Sequence, residues 1–320
     1  MNRLFSYIAT GLLLVSCSGI GMDDVLRPIG FGVTQTKAPI SNAAAMQAHP
    51  FKVYGKVGSE SLFSGSSTDV EWNETDGAWT TYSPIEYWRA SQTYKFRAVW
   101  PSAAINSTTT YSDDLASGAT ITDFKSSSVQ SLQTDLLLSG LTTVTTGSST
   151  SGQGKAELEF RHILSKIQVD IKKHDSARDA DVFKVKSVEI SGMKDMGSFT
   201  GTSTSGTWTI SSSASDQVCV REFASPLEPL SKSAYTTAWD GGLLLVPQTM
   251  TSGAAIKITY SINGGADHSV TVKTASPTTW EMGKKYTYQI ALNATPIEFA
   301  VEVTVTDWTT ESDIDITPAS

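Results

Sequence analysis

The chain has 320 residues, 32 acidic against 24 basic side chains and a formal charge of −8. That balance excludes a nucleic-acid partner, because phosphate binding needs a basic face that the sequence nowhere assembles. Two cysteines are too few for a disulfide framework, and the length allows two domains of ordinary size once a leader is removed.

At the start, Arg3 precedes an apolar stretch from Leu4 to Val15. It is too short to cross a bilayer as a helix, which takes about 20 residues. Residues 1–16 therefore read as a signal peptide. Leu14-Val15-Ser16-Cys17 resembles the bacterial lipobox, so Cys17 is expected to become the acylated N-terminus, with palmitate among its chains. More than one acyl chain makes such an anchor effectively permanent.

The stretch "IGFGVTQTKAPI" at 29–40 comes next. Ile29, Phe31 and Val33 alternate with Gly30, Gly32 and Thr34, so a strand here presents three apolar knobs on one face and a nearly bare opposite face. Burying the three stabilises by roughly 5 to 9 kcal/mol, comparable with the whole stability of a domain. Further strands are predicted at 51–57, 94–100, 183–190, 256–262, 268–273 and 286–292, where valine, isoleucine and aromatic residues recur at period two. Glycine- and serine-rich runs at 145–154 and 201–207 read as loops. No helical stripe longer than two turns occurs, so the fold class is all-β.

Trp72 and Trp79 stand in the polar segment "VEWNETDGAWTTY" and are candidate exposed indoles able to stack on sugar rings. Trp100 and Trp308 end strands, where packing is the default. In "KAELEFRHILSKIQVDI" at 155–171 the inward register changes from even to odd numbers, which calls for a β-bulge or tight bend near His162 to Ser165. The charged, apolar-poor run at 172–181 is the candidate interdomain linker. Cys219, between two valines, reads as an inward strand position and a small buried hydrophobe.

Near the C-terminus, Ile297, Phe299, Val301, Val303 and Val305 share one face of a strand, and "IEFAV" at 297–301 repeats the Ile-x-Phe-x-Val spacing of 29–33. On pattern alone Ile, Phe and Val fill any sandwich strand. The tail at 309–320 adds only Ile314 and Ile316 between aspartates, a weak donor by burial.

Four histidines, His49, His162, His174 and His268, lack metal-ligand spacing. They are read as structural or solvent-facing, His162 satisfying backbone groups beside the bend. Glu157 and Glu159 share an outward strand face and read as solvated rather than catalytic. No calcium loop or nucleophile elbow is present, so no enzyme, metal or cofactor is expected.

Several pieces then fall together. The lipobox, "FKVYGKV", "YKFRAVWP", "LEFRHILSKIQV" with Phe160, His162, Leu164, Ser165, Lys166, Ile167 and Val169, and the ending "YTYQIALNATPIEFAVEVTVTDW" resemble the fimbrillin family of major and accessory pilin lipoproteins of Bacteroides and relatives. The resemblance covers most of the mature chain. It implies two transthyretin-like β-sandwich domains in tandem, placed at 38–175 and 176–320, and export to the outer membrane as a lipoprotein. It also implies proteolytic removal of 17–37, including the first strand, and assembly of a surface pilus by donor-strand exchange. The family cuts after arginine; the matching bond here is Lys37–Ala38, while Pro28 disfavours cutting after Arg27. The candidate donor strands lie within 297–317. Partners implied are other pilus subunits, in a homo- or hetero-polymer, the outer membrane through the lipid, and a host or bacterial surface ligand. The alternative from a different class is a monomeric surface glycan-binding lipoprotein using Trp72 and Trp79.

Overall fold

Period-two alternation in the sequence becomes period-two burial. Phe51, Val53, Gly55 and Val57 of the strand Phe51–Val57 turn inward while Lys52, Tyr54 and Lys56 turn out, as the pleat of a half-buried sheet requires. The computed structural model describes residues 27–35, 46–63, 67–228, 231–239, 241–273, 278–294 and 300–308. They form an all-β structure of several sheets, with two short 3-10 turns at Ser102–Ala104 and Gln130–Leu132.

The first sheet runs through Thr142–Thr145, Thr93–Trp100, Leu137–Ser139, Ala156–His162, Phe31–Gln35, Ala78–Thr81, Ser67–Asn73, Phe51–Val57 and Glu60–Ser61. Thr93–Trp100 also pairs with Phe51–Val57, from Lys52↔Val99 to Val57↔Tyr94, so the sheet closes on itself. Phe31–Gln35 is a member of that closed circuit, between Ala156–His162 and Ala78–Thr81. Inside it Phe31, Phe51, Val53, Trp79, Trp88, Tyr94, Phe96, Leu158 and Phe160 make one apolar cluster.

Two further sheets face each other as a sandwich. One joins Ser165–Lys173 in parallel to Lys284–Leu292, with Thr236–Thr237 and Leu243–Leu245 on one side and Ala300–Asp307 as the opposite edge. The other runs Asp216–Leu227, Phe183–Lys194, Ala255–Ile262 and Asp267–Lys273. Ile167, Val169, Ile171, Tyr286, Tyr288 and Ile290 pack between them against Val185, Val188, Ile190, Ile256, Ile258 and Tyr260. A four-stranded sheet of Thr110–Asp113, Ala119–Lys125, Met196–Gly201 and Gly206–Ile210 combines strands from both halves of the sequence. It shares a third cluster with Leu136, Leu138, Ile163, Leu164, Leu244, Val246 and Trp308.

Of the β-bulge or tight bend expected at His162–Ser165, the structure has the bend, at Leu164, and it carries the chain from one sheet to another. Ala156–His162 belongs to the first sheet and Ser165–Lys173 to the second, and Ile163 and Leu164, both buried, carry the crossing. The charged run at 172–181 follows that crossing and leads from one face of the sandwich to Phe183–Lys194 on the other.

Candidate functional site

The segment 27–35 lies in a groove whose two walls hold it unequally. Toward Ala156–His162 it makes a parallel ladder from Phe31↔Ala156 to Gln35↔Phe160, extended by the Ala156 N–H donating to the Gly30 carbonyl at 2.8 Å. Toward Ala78–Thr81 there is a single pair, Phe31↔Trp79. Beyond it, the Ile29 N–H donates to the Glu86 carbonyl at 2.8 Å, the Trp88 N–H to the Arg27 carbonyl at 3.0 Å and the Tyr82 hydroxyl to the Ile29 carbonyl at 3.0 Å. Past Phe31 the two strands part around a cavity of about 190 Å³ lined by Phe31, Gly32, Val33, Met46, Trp72 and Trp79 among others.

Side chains add to a backbone held more fully on one side than on the other. Ile29 and Phe31 are wholly buried, and Val33 is half-buried against the same cluster. The Phe31 ring meets Phe51, Phe96 and Tyr82 edge-on at 5.8, 5.4 and 6.3 Å between centroids, a favoured geometry for aromatic quadrupoles. The outer face carries no side chain at Gly30 or Gly32. A Cβ at Gly32 would lie 2.1 Å from Glu157 Oε2, so that carboxylate covers the bare backbone. Gly30 is buried, and a Cβ there would touch Thr80 and Lys155 at 3.4 and 3.6 Å, ordinary contact distances.

At the other end of the chain, Ala300–Asp307 is an edge strand, with Tyr286↔Val305, Tyr288↔Val303 and Ile290↔Val301 in register. Directly opposed residues project to the same face, so the three valines continue the core face of Tyr286, Tyr288 and Ile290. Val301 and Val305 are nevertheless 37% and 47% exposed: the opposing layer stops short of this edge. The strand is secured at its end by Trp308, which is buried and stacks on His162 at 3.6 Å with ring planes 8° apart. The Lys166 ammonium lies 5.4 Å from the indole centroid, and His162 Nδ1 sits 2.8 Å from Asp135 Oδ2, both residues being buried. His162, expected to satisfy backbone groups, thus joins a side-chain cluster drawn from four separate strands and loops. Its parity with Ala156, Leu158 and Phe160 was the available signal for burial; nothing local named Asp135. Lys284 and Asp307 form a surface ion pair on the same strand pair, whose mutual hydrogen bond raises the lysine pKa and lowers that of the carboxyl.

Other predicted positions separate. Trp79, expected to be exposed beside Trp72, is 4% exposed; it faces Phe51 at 5.1 Å and Trp72 at 5.6 Å, because it belongs to the inward set of the closed sheet despite its polar sequence neighbours. Trp72 is half-buried, so the two do not form an open sugar platform. Cys219 is wholly buried, and burial pushes its thiol up to about 12, far from a reactive thiolate. Among the described residues no group of three His, Cys, Asp or Glu side chains could hold a metal ion, and no helix there is long and apolar enough to cross a membrane. Cys17, Lys37, Ala38, Ile297 and Phe299 lie outside the described residues.

One polar group escaped the sequence reading. Arg97 and Asp113, with side chains 2% and 0% exposed, pair at 2.7 Å. Asp113 also accepts from the Tyr111 hydroxyl at 3.0 Å and the Leu115 N–H at 2.7 Å, and burial first, then this carboxylate, raises the Tyr111 pKa well above its usual value. The network pins Thr110–Asp113 against the outside of the closed sheet.

The sequence pattern described as fimbrillin-like matches residues 36–308. The match begins directly after Phe31–Gln35 and ends at Trp308. No curated protein matches the chain. Among solved structures, a fimbrial protein from Bacteroides vulgatus superposes with a TM-score of 0.63 at 16% identity, covering 88% of this chain and 100% of that one. Candidate cell adhesion proteins from Bacteroides uniformis and Bacteroides ovatus each give 0.54, at 18% and 16% identity, covering 89% of this chain and 99% of theirs. At such identities the likeness is one of fold.

Proposed function

The chain belongs to the fimbrillin-like family, and from that premise we propose that it is a subunit of a cell-surface pilus, anchored through Cys17 and trimmed between Lys37 and Ala38. A neighbouring subunit then supplies the strand that trimming removes, so that subunits join by strand exchange and the filament carries adhesion. The partners are other copies or related subunits, and the location is the outer membrane and the filament that grows from it.

The observation that carries this reading is the seat of Phe31–Gln35. It is the only strand of the closed sheet, among the described residues, that enters from the far N-terminal segment, and it is held by a full ladder on one wall and a single pair on the other. Removing it would uncover Phe51, Phe96, Tyr82 and Trp79, an apolar strip that water penalises by about 25 cal/mol per Å². Such a slot accepts a strand from another chain, with backbone pairing for affinity and side-chain pockets for register. The burial of Trp79 takes away the paired indoles on which the glycan-binding alternative rested.

The test is the mature N-terminus of surface material. Filaments sheared from cells should begin at Ala38 and lack residues 17–37. Filaments built of subunits that keep Ile29, Phe31 and Val33 would overturn the reading.

A further inference from the structure

We propose that a cleft between Trp208 and His162 binds a neutral glycan, with a sugar ring against the indole and a sugar hydroxyl on His162 Nε2. This goes beyond the pilus reading by giving adhesion a ligand chemistry. It stands or falls apart from strand exchange, since none of the lining residues pairs with Phe31–Gln35.

Two cavities make the cleft. One, of about 470 Å³, lies between the edge strand Gly206–Ile210 and the short pair Gln248–Thr249 and Thr279–Trp280, with Trp208 and Glu281 in its lining. The other, of about 220 Å³, is lined by Arg161, His162, Asp307 and Trp308 among others. Thr204, Met282 and Lys284 line both, so the two adjoin. The larger alone falls within the range of about 300–1,000 Å³ usual for small-ligand sites.

The indole is fixed before any ligand arrives. Its N–H donates to the Ile163 carbonyl at 2.7 Å, and its ring is backed by Phe199 and Phe124 at 5.6 and 6.1 Å between centroids. Trp208 is half-buried rather than buried, so part of the ring is left to the cleft that it lines. Because Ile163 follows His162 in the chain, the same hydrogen bond sets the spacing between the two ends of the site.

His162 is an independent sign of a built site. It is 6% exposed, its ring lies flat on Trp308 at 3.6 Å, and its Nδ1 is 2.8 Å from Asp135 Oδ2. Those two atoms are sealed from solvent and aligned too poorly for a hydrogen bond, but the carboxylate still holds the ring proton on Nδ1. Nε2 has no partner among the described residues and is not sealed, so it faces the smaller cavity as an acceptor. An acceptor so nearly buried calls for a donor.

The rest of the lining selects against charge. Both cations there are already paired, Lys284 with Asp307 and Arg161 with Glu159 at 2.8 Å. The exposed Glu281 carboxylate makes no ion pair among the described residues and repels anions. A phosphate or carboxylate ligand would therefore find no free cation. A purely apolar ligand would strand His162 Nε2, Glu281 and the Ser205 hydroxyl, which makes no hydrogen bond among the described residues. A pyranose satisfies both walls, its C–H face covering the indole while its hydroxyls donate to Nε2 and Glu281 and accept from Ser205.

The experiment titrates the full chain with maltotriose, cellotriose, xylotriose and chitotriose, and with trigalacturonate as the acidic comparison. Tryptophan fluorescence reads binding, and side-chain NMR signals of the four histidines locate it. At least one neutral trisaccharide should bind saturably and shift His162 while leaving His49, His174 and His268 in place. Trp208→Ala should weaken that binding by at least about tenfold. Thr204→Trp, at an exposed bend where the two cavities meet, should block it, whereas Thr271→Trp, at an exposed position of Asp267–Lys273, should not. Binding that survives both Trp208→Ala and Thr204→Trp, or that shifts another histidine instead, overturns the site. Preference for trigalacturonate overturns the neutral ligand, and failure of all four neutral sugars to bind overturns the proposal. Each of these outcomes leaves multimer formation, and with it the pilus reading, unchanged.

Discussion

Replacing Phe31 by alanine tests the groove at its centre. The ring is wholly buried and meets three other aromatic rings edge-on, so truncation loses the transfer term, the aromatic contacts and leaves a void. Phenylalanine to alanine in such a site costs about 3–5 kcal/mol, a large share of the roughly 5–15 kcal/mol by which domains are stable. Val33, half-buried beside the cavity at the parting of the strands, should lose only about 1 kcal/mol on Val33→Ala. Denaturant unfolding followed by tryptophan fluorescence gives both values. Hydrogen exchange locates the effect: the Ala156 amide, bonded to the Gly30 carbonyl, should exchange faster in Phe31→Ala, while amides of Phe183–Lys194 in the opposite sandwich should not. A loss below about 1 kcal/mol, or equal acceleration in both places, would refute the view that Phe31 anchors a separately detachable strand.

Trp308→Ala should release the Ala300–Asp307 edge, because among the described residues Trp308 is the buried side chain that ends that strand; limited proteolysis should then cut within 300–307, and unchanged resistance would show that the backbone ladder suffices. Arg97→Met leaves Asp113 buried without its cation and should cost about 3–5 kcal/mol in denaturant unfolding, with Arg97→Met/Asp113→Leu recovering much of it. The Lys284–Asp307 pair predicts a pH window. The carboxyl pKa is lowered from 3.8, so its contribution is present above that value and lost as pH falls through the folded one. The ammonium pKa is raised from 10.5, so its contribution is complete below that value and lost as pH rises through the folded one. Exchange protection across Lys284–Leu292 and Ala300–Asp307, corrected for intrinsic rates, should be flat from about pH 5 to 9 and decline below pH 4, and Asp307→Asn should remove that acid limb.

What the sequence disclosed follows the range of each interaction. Alternation is local, so the facing of Ile29, Phe31 and Val33, the inward Cys219 and the common face of Val301, Val303 and Val305 could be read from neighbours two residues apart. Pairings across the chain could not. The closure of the first sheet joins Phe51–Val57 to Thr93–Trp100, and Asp135, His162 and Trp308 meet although widely separated in sequence. Trp79 was misjudged because polar neighbours describe only the solvent face of a strand that the closed sheet folds inward. The jump between His162 and Ser165 was visible as a change of parity, but parity alone does not distinguish a bulge from a change of sheet.

The central claim, that another polypeptide completes the first sheet, is tested most directly by incubating purified full-length chain and chain trimmed after Lys37 in separate samples at equal concentration and resolving each without boiling in mild detergent. Trimmed chain should give a ladder of multimers that collapses on boiling, and untrimmed chain should stay monomeric. Trimmed protein that remains folded and monomeric at every concentration would contradict the account.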